Sequence, residues 1–383
     1  MPECGGSTSR LFDENSEFHA RIIVALQGAY GQMHQMVSFL LCVLGVMANI
    51  LHITILTRPV MKRSAVNRLL ALMAVCDTIT MIDYLLYLIR FGIMVDPNDP
   101  PYGYPYVWIC YLIGHVVASI ALHSISLYLS VATAFIRLMA IARVQSTMMR
   151  PRIAWKIFVG IATLMTLLII PTFYVHQIVQ SEMKGEYMVV LPQDDDIRCV
   201  IFIVNLWLTG IFFKVIPCIL LFAFTIGLLY KLHLNKISHE KIASKQSIQM
   251  RCAQSDRTTI LLILLLAVFL ITELPQGILA LLNALYTEDV NRYLYSHLGE
   301  FFDLLSLVNG CICFILYPCI SSQYRETFSL LIARLRSSSM TPYRQHSPQL
   351  SRLAPASQCC SVETDYPGQP SENRLLEVSE VNL

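Results

Sequence analysis

The sequence predicts an all-α membrane protein: a seven-transmembrane helix bundle with a short amphipathic helix after the seventh span. Three observations lead there. Seven apolar runs, each near the roughly 20 residues that a helix needs to cross a hydrocarbon core, fill residues 33–320. The composition is 55% hydrophobic and 14% charged, far from the roughly 25% charged content of soluble domains. Basic residues gather in every second connection, and acidic residues in the others. The net charge of +2 gives no reason to expect a nucleic-acid partner.

Residues 1–32 are expected to form an extracellular segment. Glu3, Arg10, Asp13, Glu14, Glu17, His19 and Arg21 leave no apolar stretch for a secretory signal, so the first span, 33–57, acts as its own insertion signal. The other spans are expected at 66–90, 106–141, 153–177, 201–231, 257–286 and 293–320, completing a membrane domain over 33–320. Residues 321–336 follow as a surface helix in contact with lipid. Tyr324, Phe328, Leu331 and Leu335 share its apolar face, with Arg325, Arg334 and Arg336 interleaved. Residues 337–383, rich in Ser, Pro and Gln, read as a disordered tail. No internal repeat suggests a transporter of duplicated halves.

The charges orient the bundle. Arg58, Lys62, Arg63 and Arg68 separate the first two spans, and Arg143, Arg150, Arg152 and Lys156 the third and fourth. Lys231, Lys236, Lys241, Lys245, Arg251 and Arg257 surround the connection from fifth to sixth. The opposite connections carry Asp96 and Asp99, then Glu182, Glu186 and Asp194–Asp196, then Glu288 and Asp289. Basic loops stay in the cytoplasm. A multi-pass plasma-membrane protein with its amino terminus outside and its carboxyl tail inside is expected.

Polar residues inside a membrane are costly and mark function. Asp77 reads as a packing aspartate or as an internal ion or water site, with Asn49, Ser126 and Asn309 as partners at similar depth. Cys110 opens the third span and Cys199 precedes the fifth. Both lie on the oxidising side, so a bridge between them is expected, with two free thiols as the alternative. Cysteines inside the runs (Cys42, Cys76, Cys218, Cys311, Cys313) are expected free, and no spacing suits a metal. His115 and His123 lie about two turns apart and are expected on one face, as satisfied imidazoles or as ligand contacts.

Glu273, Glu300 and Asp303 form the sharpest group. Glu300 and Asp303 are three apart, hence on one face; Glu273 stands beside the helix-breaking Pro275. Buried carboxylates demand compensation, and an arginine of an incoming ligand would supply it through paired charge-assisted hydrogen bonds. Glu300 reads equally as a solvated rim residue. Arg137, at the inner end of the third span, could simply snorkel to headgroups. No catalytic constellation appears, so an enzyme is not expected. The seventh span holds no lysine, which removes a retinal-linked pump.

Several stretches carry a resemblance. The landmarks across residues 33–336 resemble the rhodopsin-like (class A) G-protein-coupled receptors. His123–Val131, Phe213–Cys218, Thr272–Leu282, Phe314–Tyr317 and Gln323–Arg325 are similar to invertebrate myosuppressin and FMRFamide-like neuropeptide receptors. The resemblance implies a receptor for a short amidated peptide, often ending in Arg-Phe-amide. It implies a G protein as partner on the cytoplasmic side, and arrestin recruited by serines of the tail. Gln276 joins Glu273, Glu300, Asp303, His115 and His123 as an implied ligand contact. Asp77, Asn49, Ser126 and Asn309 match a sodium site, the one ion implied, with no other cofactor. Arg137 matches the G-protein contact, Tyr317 and Pro275 the switch residues. The chain departs from the pattern at Ile136 and Leu138, which flank Arg137, and at Cys313-Phe314, where the family has Asn-Pro or Asn-Phe. A chemosensory receptor for a small molecule is the nearest rival, with a transporter or channel more remote.

Overall fold

A computed structural model describes residues 17–96, 99, 101–142, 150–181, 185–190, 197–240, 246–286, 290 and 296–338. One compact unit runs to Leu335; a second, Arg336–Leu383, lies almost wholly outside the described residues. The acidic residues Glu182, Asp194–Asp196, Glu288 and Asp289, and the tail from residue 339, also lie outside them.

Seven helices are long and apolar enough to cross a membrane: Met33–Leu56, Ala65–Ile93, Tyr106–Ile141, Pro151–Val175, Ile197–Leu234, Leu266–Leu285 and Leu298–Cys319. Only helices satisfy every backbone polar group within one segment in lipid, and the apolar runs therefore fold this way. Large side chains such as Leu40, Leu44, Ile79, Phe222 and Leu274 point away from the bundle, as lipid-facing residues do. Between the helices, Leu69, Leu70, Met73, Leu127, Leu129, Phe213, Leu221 and Tyr317 form the core.

The third helix, Tyr106–Ile141, has the bounds expected. The first begins far earlier, at Glu17. Residue 32 marks a change in hydropathy and no break in the helix, because nothing from 17 to 56 interrupts it. The fourth helix starts at Pro151, where a missing N–H costs nothing. It ends at Leu168 and resumes as Ile170–Val175 around Pro171.

Two spans contain π-helical turns, Leu88–Ile93 in the second and Thr209–Val215 in the fifth. The latter ends just ahead of Pro217, which can neither donate to Phe213 nor let its carbonyl approach. The backbone passes this gap by widening. The sixth helix, Gln246–Leu285, continues through Pro275. The seventh, Ser296–Ile320, is capped by Arg325, which donates to the carbonyls of Pro318 and Cys319 at 3.1 Å each. The last helix, Ser322–Ser338, docks through the buried Tyr324, whose hydroxyl lies 3.0 Å from His52 Nδ1.

The connection after the fourth span holds a hairpin that begins at Gln177, the last residue of the span expected at 153–177. Strand β1 (Gln177–Gln180) pairs antiparallel with β2 (Tyr187–Val190), Gln177 opposite Val190. Gly185, at φ 91°, takes the turn conformation that favours glycine. Tyr187 also bridges to Tyr104 through two backbone hydrogen bonds of 2.8 and 2.9 Å. Gly103 allows that approach, since a Cβ there would lie 2.9 Å from the Tyr187 carbonyl. Arg90 lies 4.9 Å over the Tyr104 ring and 5.1 Å over Trp108, joining the second span to the same corner.

Candidate functional site

The fifth and sixth spans meet where side chains vanish. At Gly210 a Cβ would lie 3.2 Å from the Ala280 carbonyl, so a glycine lets the two backbones close. About one turn further along the fifth helix, Lys214 faces Gly277, Gln276 and Glu273. Its Nζ donates to Glu273 Oε2 at 2.9 Å and to Gln276 Oε1 at 2.7 Å. His123 Nε2 lies 3.0 Å from the same Glu273 oxygen, and Asn309 Nδ2 donates to the other at 3.1 Å. Gln276 in turn donates to the Phe302 carbonyl and to Ser306 Oγ, both at 3.1 Å. Glu273 is 0% exposed. One carboxylate thus ties the third, fifth, sixth and seventh spans together.

This corrects one expectation. Glu273 was read as waiting for a guanidinium from outside, but its own chain supplies the cation. A buried charge needs a partner at hand in the unliganded fold, and Lys214 is the only charged residue between Arg198 and Lys231. That isolation was the available signal: a lysine at membrane depth in one span, a glutamate at membrane depth in the next.

The two histidines also part company. Eight residues advance a helix by two turns and roughly 80° more, enough to turn them to different neighbours. His123 meets the sixth span. His115 Nδ1 lies 2.6 Å from Asp83 Oδ2 on the second span, and Tyr111 donates to Asp83 Oδ1 at 3.1 Å. Tyr87 stacks on His115 with centroids 4.6 Å apart. Asp83 had drawn no attention in the sequence, although an acid inside the second span carries the same signal as Lys214.

Glu300 and Asp303 are both exposed, as neighbours on one helix face should be. Asp303 feels Tyr84, His115, Lys214 and Glu300, groups that reach it from the second, third, fifth and seventh spans. It therefore points into the bundle, where the Tyr84 hydroxyl donates to it, and it retains accessible surface. Tyr84 is held from the first span by His34, 3.2 Å from its hydroxyl.

Of the four residues expected around an ion, two come together. Ser126 Oγ donates to Asp77 Oδ1 at 2.7 Å, and Gly310 packs against Asp77. Asn309 is turned to Glu273, and Asn49 donates to the Gly310 carbonyl at 3.0 Å. Neither asparagine is bonded to Asp77, and the Oδ1 atoms of Asn49 and Asn309 are buried without a hydrogen-bond partner among the described residues. Nearer the basic end, Tyr317 donates to Asn67 Oδ1 at 3.2 Å. Arg137 Nε is buried without a hydrogen-bond partner among the described residues, and Tyr317 lies within its electrostatic reach.

The expected Cys110–Cys199 bridge is absent. Cys110 is free and exposed on the outside of its helix, whereas Cys199 is disulfide-bonded and buried beside Val175 and Phe202. A cysteine other than Cys110 pairs with Cys199. The loop is fastened to the third span by the Tyr104–Tyr187 backbone bridge instead. Cys42, Cys76, Cys218, Cys311 and Cys313 are free and buried, as expected.

Comparison with known proteins gives the lineage. Residues 36–334 match the model of the serpentine type 7TM GPCR chemoreceptor family Srw. The chain is also 28% identical to "G-protein coupled receptor dmsr-1" of Caenorhabditis elegans, over 97% of this chain and 81% of that protein. The chain belongs to the Srw family of G-protein-coupled receptors. It is a multi-pass membrane protein with a ligand and a G protein as partners, a signalling receptor rather than an enzyme.

Proposed function

We propose that this Srw-family receptor responds to a short amidated peptide whose arginine reaches Asp303 from the acidic end of the bundle. One observation carries the reading. Asp303 faces the interior yet remains accessible, while Lys214 and His115, its nearest cationic side chains, are engaged by Glu273 and Asp83. Glu300 adds a like charge beside it. A guanidinium satisfies such a site with two parallel hydrogen bonds. The stretches quoted above that resemble myosuppressin and FMRFamide-like receptors, which include Gln276 and His123, support the same reading.

The amino terminus then lies outside and the carboxyl tail in the cytoplasm. Residues 1–32 act as the outer segment, 321–336 as a membrane-surface helix, and 337–383 as the tail that arrestin would meet. A ligand shifts a receptor only by preferring one of its states. A guanidinium at Asp303 brings a like charge within reach of Lys214 and weakens its bond to Glu273. That bond joins the fifth span to the sixth, and Pro275 lets the sixth move once it loosens. Arg137, at the far end, is the side chain that would be offered to the G protein.

The test is a dose–response series in cells with an Arg-Phe-amide peptide. Removing one partner of a desolvated charge pair costs about 2–5 kcal/mol, which is about 30-fold or more in potency. Asp303→Asn should lose that much at unchanged surface expression. Equal potency would discard the pairing. The family's description as chemoreceptors favours a second reading, a small-molecule ligand. A screen that finds small-molecule agonists and no active peptide would select it.

A further inference from the structure

A groove of about 220 Å³ opens at the basic end of the bundle, between the first, second and fourth spans. Leu56, Leu72 and Ala154 supply apolar lining, Lys62 and Arg68 cationic lining, and Trp155 borders it as well. Arg68 is fixed in place. Its Nε donates to the Lys62 carbonyl at 3.0 Å, and a terminal nitrogen donates to the Pro151 carbonyl at 3.3 Å. A guanidinium has five N–H donors, so these bonds set its plane and leave others for a further acceptor.

Among the described residues, no ion pair to a carboxylate involves Arg68 or Lys62. The sequence has no Asp or Glu from residue 18 to 76, nor from 100 to 181. Those stretches include all of the first and fourth spans and the basic end of the second. Lys62 and Arg68 line the groove, and Arg58, Arg63, Arg150, Arg152 and Lys156 lie within a few residues of its lining in the sequence. The second helix, from Ala65, and the fourth, from Pro151, both begin at this end and add the positive ends of their dipoles. Trp155 is 57% exposed and faces outward, the position a tryptophan takes at a membrane interface.

We propose that the groove binds an anionic phospholipid from the adjoining leaflet, its phosphate on Arg68 and Lys62 and an acyl chain against Leu72 and Trp155. Cationic lining together with apolar lining matches a lipid. A soluble phosphate would leave the apolar lining uncovered.

The experiment measures lipid retention by native mass spectrometry on the full-length receptor. It is exposed to phosphatidylglycerol or phosphatidylcholine of identical chains, with glycerol phosphate as the soluble probe. The receptor should retain phosphatidylglycerol in preference. Each basic residue near a membrane surface contributes about fivefold, so Lys62→Gln should reduce the preference about fivefold. Lys62→Gln with Arg68→Gln should bring the two lipids to parity. Because Arg68→Gln also removes two backbone bonds, the exposed Lys62 carries the test by itself. Ala71→Phe, which fills the groove, should lower retention of the anionic lipid, and Arg334→Gln on the last helix should change nothing. The proposal is overturned by equal retention of both lipids, by an unchanged preference in Lys62→Gln and Ala71→Phe, or by displacement with glycerol phosphate.

Discussion

Glu273 and Asp303 are carboxylates on adjoining helices, both turned into the bundle, and they have opposite circumstances. Glu273 is enclosed, with Lys214, His123 and Asn309 on its oxygens. Asp303 is accessible, with Glu300 beside it and the nearby cations committed elsewhere. The difference lies in what the facing helix supplies. Opposite Glu273 the fifth span provides a lysine, and beside Asp303 the second span provides a tyrosine, Tyr84. A closed carboxylate holds the bundle together, and an open one is left for a partner. The contrast separates structural charge from receptive charge.

The largest expected effect comes from breaking the closed site. Lys214→Ala leaves Glu273 buried without its lysine, at a cost of about 3–5 kcal/mol, and should remove most receptor from the cell surface. Replacing both partners, Lys214→Met with Glu273→Leu, should restore expression, because two apolar groups of similar size need no compensation. Flow cytometry of tagged receptors measures both; failure of the double variant would show that His123 and Asn309 need the carboxylate as much as Lys214 does. Next comes the open site, where Asp303→Asn should cost about 30-fold in peptide potency and nothing in expression.

A smaller effect is expected at the lid. Gly103→Ala puts a methyl group 2.9 Å from the Tyr187 carbonyl. It should push the hairpin off the third span, costing about 1–3 kcal/mol by overpacking, seen as a lower melting temperature of purified receptor. The smallest concerns the free thiol. Cys110→Ser should change stability by less than about 0.5 kcal/mol, whereas Cys199→Ser should cost about 2–5 kcal/mol. Equal losses in the two would restore the pairing that the structure rejects.

The spans were legible because hydrocarbon thickness writes itself into sequence length. The third agrees at both ends, and the first and fourth differ where helix formers or prolines, rather than hydropathy, set the limit. Glu17 begins a helix well ahead of the first apolar residues, and Pro171 interrupts the fourth. The carboxylates were legible too, since an acid at membrane depth stands out in an apolar run. Their partners were not. Depth says that Asn309 and Asp77 are level, but only the rotation of each helix decides that Asn309 turns to Glu273 and leaves Asp77 to Ser126. The π-helical segment alters that rotation for Lys214, and no periodicity count in the sequence reveals it. The hairpin was hidden for a related reason. Gln177–Gln180 is too short to show an alternation, and its pairing depends on Gly103, more than seventy residues away.

The wide turns at Thr209–Val215 place an extra residue in the fifth span relative to a regular helix. Everything on the mouth side of that segment is thereby turned by about 100° against everything beyond Pro217. A deletion of one residue there should re-aim the outer half of the span, exchanging the side chains shown to an incoming molecule. The half beyond Pro217, toward the basic end, would keep its phase. The segment works as a coupling sleeve, through which recognition could diversify by single-codon length changes without disturbing transmission.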